Sequence, residues 1–343
     1  MSKAIKIVVI IASSLVGIGI LFMGLAFAFG GTDMLVKNNP DINVKMVSAT
    51  FDEVDIVNVK DVSNDVKITK SENNQVKVTY AVSDKFSYYV KQIDNTLQVE
   101  YDDFRHWYDF ITIFGSFREP DLTIELPEKT LKELNVKTSS GSIEANSVNA
   151  EVTTLKTTSG RVEVGGNVGD LTANATSGSV KVNADTQAEM AVVGTTSGKV
   201  QVSGNIKGDV IADNTSGGII LENLKCENVY AKASSGRIDA DNLAVKSIKA
   251  EVSSGRVTFD NVICTGDMDV KTTSGSINLD GVDAENYDLN TTSGGIKAEI
   301  LTAKLYNVKS NSGSVRTPEF DSNANGVLNA KATSGSVTIE LAD

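Results

Sequence analysis

The residues that could do chemistry recur at a fixed interval. A Ser-Gly step recurs in register eleven times, at Ser140, Ser159, Ser177, Ser197, Ser216, Ser235, Ser254, Ser274, Ser293, Ser312 and Ser334, at spacings of 18 to 20 and a final 22. A serine nucleophile needs a base beside it, and the chain holds a single histidine, His106, against eleven equivalent serines, so the serines read as turns. Acidic pairs could cleave polysaccharide as general acid and base, but Glu144, Glu163, Asp213, Asp239, Glu251, Asp269 and Asp288 scatter among the repeats. One histidine and two cysteines do not make a zinc site. No catalytic, cofactor-binding or metal-ligating set is assigned, and the expectation is a non-enzymatic chain.

Two features could bind rather than react. Three residues before the repeat serine stand Lys137, Lys156, Lys232, Lys271, Lys309 and Lys331, a stripe that would meet an anionic polymer or keep a strand face soluble. Phe104, Trp107, Tyr108, Phe110, Phe114 and Phe117 crowd six aromatics into fourteen residues, as a cap over the first repeat or a contact patch for a partner.

The elements that must position these residues follow from the repeat. Three after each serine the residue is Ile or Val every time, from Ile143 to Val337, and five after it is apolar except at Thr317. Before the serine, positions minus six and minus four are apolar, with Lys, Asp, Glu, Asn and Thr between. Alternation with period two gives strands with one side inward and the other in water. A third apolar position eight or nine after the serine, from Val148 to Leu301 and Phe320, gives each unit a short third side. One unit cannot bury its apolar side alone, so the units stack into an all-β parallel β-helix, or β-solenoid, of about 19-residue rungs. Ser-Gly is its corner, with glycine supplying a positive φ. Val57 to Ile68 fits the template as an early rung with Asn64 in place of glycine. Cys226 and Cys264 occupy equivalent places two rungs, about 9.6 Å, apart. That is too far for a disulfide, so both are expected to be free.

Residues 7–31 lack charge and as a helix would cross a membrane with one N-terminal transmembrane span. Lys3 and Lys6 before the span and Asp33 after it put residues 1–6 in the cytoplasm and the rest outside. Ala26-Phe27-Ala28 keeps a cleaved signal open, although the apolar run is long for one. The organisation expected is a tail (1–6), a signal-anchor (7–31), a linker (32–43), an irregular β region capping the solenoid (44–135) and a regular solenoid (136–343). The net charge of −12, with 32 Lys and Arg against 44 Asp and Glu, disfavours nucleic acid as a partner.

An apolar anchor, a strand closing at Leu126-Pro127 and serial T-[TS]-S-G-x-[IV]-x-[VAL] units resemble the bacterial family of membrane-anchored β-strand-repeat surface proteins known as putative adhesins or as a domain of unknown function. The resemblance covers about residues 44 to 343. It implies an outward-facing β-helix at the cell membrane and brings no active site. The expected function is adhesin-like binding or scaffolding in the envelope, with an envelope polymer or a membrane protein as partner. The alternatives are a polysaccharide-active β-helix enzyme and an accessory subunit of an envelope-stress sensor.

Overall fold

The computed structural model describes residues 44–105, 119–322 and 324–342. They hold twenty-one strands and no helix. In chain order these are β1 (Lys45–Phe51), β2 (Ile56–Lys60), β3 (Val66–Lys70), β4 (Val76–Val82), β5 (Phe86–Ile93), β6 (Thr96–Asp103) and β7 (Leu122–Leu126). Next come β8 (Leu131–Thr138), β9 (Ile143–Thr157), β10 (Val162–Ala175), β11 (Val180–Val182), β12 (Gln187–Ile206), and β13 (Val210–Cys264), which winds through several rungs. The series ends with β14 (Asp267–Ser274), β15 (Ile277–Val282), β16 (Asn286–Ser293), β17 (Ile296–Ile300), β18 (Leu305–Ser312), β19 (Val315–Arg316), β20 (Val327–Ser334) and β21 (Val337–Leu341).

These residues form two units. Within the smaller, Arg105 holds Asp103 through Nε at 2.8 Å and Nη2 at 2.7 Å, and Glu119 through Nη1 at 2.9 Å. The larger is the solenoid. Its strands pair in parallel at the spacing of one rung, as in Val162 with Val180 and Val257 with Ile277. Ten of the eleven Ile/Val residues three after the serine are buried, and they form one continuous core with the five-after column. The third side is buried from Val148 to Val282, whereas Leu301 and Phe320, expected to continue it, are exposed.

The early rung is present, since β2 and β3 lie in register on β8 and β9, with Val57 on Leu134 and Val66 on Ile143. Rung order in space departs from rung order in the chain at both ends. β2 lies between β6 and β8, so the first rung of the chain is second in the stack. β20 lies between β16 and β18, so the last rung of the chain is second from the other end. The long final interval of 22 residues is the return path this exchange needs. Both chain-terminal rungs are thereby paired on two sides instead of forming an exposed edge. Eleven Ser-Gly rungs and two before them, about 4.8 Å apart, span about 58 Å.

The corner glycines are needed for a second reason beside the one expected. Gly198, Gly217, Gly236, Gly255, Gly275, Gly294 and Gly335 have φ between 139° and 157°, but Gly141, Gly160, Gly178 and Gly313 have no positive φ in this range, and neither has Asn64. At all eleven, a Cβ would fall 1.5–2.3 Å from the carbonyl oxygen of the equivalent residue one rung away. Close stacking of backbone on backbone excludes a side chain. Buried threonines two before the serine secure the same corner. Thr157, Thr195 and Thr291 donate from Oγ1 to the carbonyls of Gly141, Gly178 and Gly275 at 2.9, 2.8 and 3.0 Å. In the early rung Asp61 takes this place, accepting from the amides of Ser63 and Asn64 and, at 2.5 Å, from the Tyr88 hydroxyl. Burial pushes its carboxyl above the usual aspartate range.

Cys226 and Cys264 are both buried and free. Burial raises each thiol to about 12, so neither is a ready nucleophile at neutral pH.

Candidate functional site

Register converts the lysine stripe into a measurable column. Starting from the first rung in space, the residues three before the corner are Glu100, Lys60, Lys137, Lys156, Asn174, Gly194 and Asp213, each paired with the next. Toward the other end the column reads Glu251, Lys271, Asn290, Lys331 and Lys309. The exchanged terminal rungs therefore place Lys331 before Lys309, and they bring Lys60 beside Lys137 across 77 positions of sequence. Lys60 escaped the sequence reading even though it stands three before Ser63 in the early rung, the same offset as the others.

The two halves of the column differ chemically. Lys271 is held by Asp269 at 3.0 Å and Asp288 at 3.5 Å, and these carboxylates raise its pKa. With Lys232, Glu251 and Lys331 it lines a groove of about 440 Å³ in which Glu251 stands between Lys232 and Lys271. Lys60, Lys137 and Lys156 sit on three consecutive rungs, about 4.8 Å apart. Only Lys60 is ion-paired, to Glu100 at 2.6 Å, while Lys137 and Lys156 point to solvent without a counter-charge among the described residues. Two residues nearer the chain start, Gln98, Asn58 and Asn135 form a parallel column of amides. Amides and lysines together line a groove of about 270 Å³. Such a surface offers ammonium groups to anions and amides to hydroxyls at one repeat distance.

The outer hydroxyls on either side of the corner, from Ser139 and Ser140 to Thr333 and Ser334, are exposed as a double ladder. They turn the chain, and among the described residues no hydrogen bond joins a corner serine to a base; His106 lies outside those residues. Beyond the corner, two after the serine, Arg161, Lys199, Arg237 and Arg256 form a second, sparser basic strip. Arg237 donates from Nε to Asp239 at 2.6 Å. Glu163 takes Lys181 at 2.9 Å. Lys181 is its in-register neighbour on the next rung, so the two side chains lie directly opposite one another.

The acidic residues are less scattered than their sequence positions suggest. Six after the serine stand Glu222, Asp241, Asp260, Asp280, Glu299 and Glu340, with Asp260 registered on Asp280 and Glu299 on Glu340. This column immediately precedes a second corner, where Asn223, Asn242 and Asn261 adopt φ of 49–55° and Asn242 donates from Nδ2 to Asn223 Oδ1 at 2.6 Å. These six carboxylates lie on rungs other than those of Lys60, Lys137 and Lys156. The grooves at Lys232–Lys331 and Arg237–Arg256 hold one carboxylate each, Glu251 and Asp239, and that at Lys60–Lys137 holds none.

Of the aromatic group, Phe104 is described and is 54% exposed. Trp107, Tyr108, Phe110, Phe114 and Phe117 lie outside the described residues, as do residues 7–31. A different aromatic cluster, which the sequence did not single out, packs beside the early rung. Tyr88 meets Tyr80 and Tyr101 edge to face at centroid distances of 5.7 and 5.3 Å.

Stacked 19-residue rungs with a serine-glycine corner match the family described as Toastrack, DUF4097, over residues 54–241 and again over 224–343. The chain belongs to the Toastrack family. Among solved structures, this Toastrack chain is similar to a "putative adhesin" of Bacteroides fragilis at 14% identity, covering 87% of this chain and 97% of that one, with a TM-score of 0.34. It is also similar to a "putative lipid binding protein" of Parabacteroides distasonis (14% identity, 88% and 97% covered, TM-score 0.38). A third, a "putative adhesin" of Parabacteroides merdae, shares 14% identity over 88% and 96% of the two chains, with a TM-score of 0.33. No curated protein matches the chain.

Proposed function

We propose that this Toastrack chain is a non-enzymatic binding protein of the cell envelope. It is tethered by residues 7–31 with residues 1–6 in the cytoplasm, and it holds a linear anionic polymer along the Lys60–Lys137–Lys156 face. The observation that carries the reading is the register that aligns those three lysines beside Asn58 and Asn135. A polymer with an anionic group and hydroxyls in each unit finds ammonium and amide groups repeating along the stack at about 4.8 Å. The contacts are exposed, so affinity rests on several weak charge pairs acting together and weakens with salt.

The test uses the full chain in detergent with two probes, linear polygalacturonate and linear polyphosphate, which separate carboxylate from phosphate recognition. Lys137→Glu combined with Lys156→Glu is expected to weaken binding of the preferred probe at least about tenfold, or ~1.4 kcal/mol. Lys225→Glu, which reverses an exposed lysine outside the column, is expected to leave it within about twofold. Equal binding by the double variant and the parent would remove the Lys60–Lys156 face from the account.

A further inference from the structure

The stack is closed at one end and open at the other. At the first end, β7 is paired with β3 on its inner side and is met antiparallel on its outer side by β4, with Val78 on Ile124, and β4 in turn pairs with β1. At the opposite end, β18 pairs with β20 and β19 with β21, and neither has a partner on its outer side among the described residues.

Side chains report the same asymmetry. The Ile/Val position three after the serine is exposed by no more than 2% in ten rungs, yet Val315 in the outermost rung is 45% exposed. Tyr306 and Val308, which project inward, are only partly covered, and Leu305 and Phe320 at the rim are exposed, Phe320 by 78%. The Tyr306 hydroxyl is shielded from solvent yet has no hydrogen-bond partner among the described residues. This rung has the composition of a core layer with nothing stacked on it.

We infer that the open rung stacks against the same rung of a second copy about a twofold axis, pairing β18 of one copy antiparallel with β18 of the other. Head-to-tail stacking would need an open edge at the first end, and β4 occupies the outer side of β7 there. The open end is therefore left to meet its like, and a twofold contact of one surface with itself closes without growing into a fibre. Charge permits it, because Lys309 and Arg316 on the terminal segment are balanced by Glu319 and Asp321 in a chain of net −12. A terminal rung of nineteen residues covering roughly 30 Å² each would bury about 600 Å² per copy, at the low end for specific interfaces, so the dimer is expected to be of micromolar affinity. The chain enters the stack through β1, at the closed end.

The test is sedimentation velocity of the full chain in detergent up to about 100 µM, above the micromolar range such interfaces support. A monomer–dimer equilibrium is expected, with concentration-dependent protection of the β18 amides in hydrogen exchange. Val315→Lys puts a charge on the exposed face and is expected to weaken the dimer at least tenfold while its circular-dichroism melt stays that of the parent. Leu305→Lys, at the rim of the same face, serves if Val315→Lys melts early. Lys137→Glu is expected to dimerise normally, so loss of polymer binding and loss of dimer are separable results. A monomer throughout the range, or a dimer indifferent to both variants, would overturn the inference.

Discussion

Gly217→Ala is expected to destabilise the solenoid by about 3 kcal/mol or more, while Gly218→Ala at the adjacent position stays within about 1 kcal/mol of the parent. The two glycines share one corner and differ in what a methyl group would meet. At Gly217 it would lie 1.9 Å from the Gly198 carbonyl oxygen, on a backbone with φ of 139°. Relief requires the rungs to separate, which breaks the ladder on that side. At Gly218 the nearest atom is Arg237 Cγ at 3.5 Å, an ordinary contact with a flexible side chain. Urea unfolding of both variants checks the difference. Comparable loss in the two would mean that backbone approach does not single out Gly217.

Phe259→Ala is expected to cost about 4 kcal/mol, in the middle of the range for buried phenylalanine. Phe259 is fully buried in the column five after the serine, with Ala240 in the rung before it and Leu279 registered in the rung after. A large ring beside a small alanine fills the interior at that level. Truncation would place two alanines on successive rungs, and the glycine-packed corner leaves the rungs little freedom to close on the void. Because each rung touches only its neighbours, the loss should appear first as local opening of the rungs around residue 259. Hydrogen exchange would show it as faster exchange between Val245 and Leu279 than near Val180. Uniform acceleration along the chain would instead mean that the stack unfolds as a single unit.

The rung itself was legible because its physics is local. An Ile or Val three after every serine, alternating with polar residues, specifies a strand with one inward side, and nineteen residues suffice for the corner and the sides. Cys226 and Cys264 followed from the same arithmetic. The order of rungs in space was not legible, because β18 and β20 obey one template and pattern alone cannot say which of them lies against β16. The sequence carried only two traces of the exchange, the final interval of 22 and the misfit apolar residues Leu301 and Phe320. Lys60 and the carboxylate column from Glu222 to Glu340 were available at constant offsets, but each needed a register to become a neighbourhood. The corner glycines show another limit, since their requirement arises from a carbonyl one rung away and leaves no signal in the local sequence beyond the glycine itself.

The account depends on the early rung lying between β6 and β8, since this puts Lys60 beside Lys137. Paired cysteines test it directly in a chain whose own two thiols are buried. Lys60→Cys with Lys137→Cys should oxidise to an intramolecular disulfide, since adjacent rungs hold the two positions about 4.8 Å apart. Glu100→Cys with Lys137→Cys, two rungs and about 9.6 Å apart, should not. Ready crosslinking of 100 to 137 with none of 60 to 137 would mean that the rungs stack in chain order, and the Lys60–Lys137–Lys156 face would not exist.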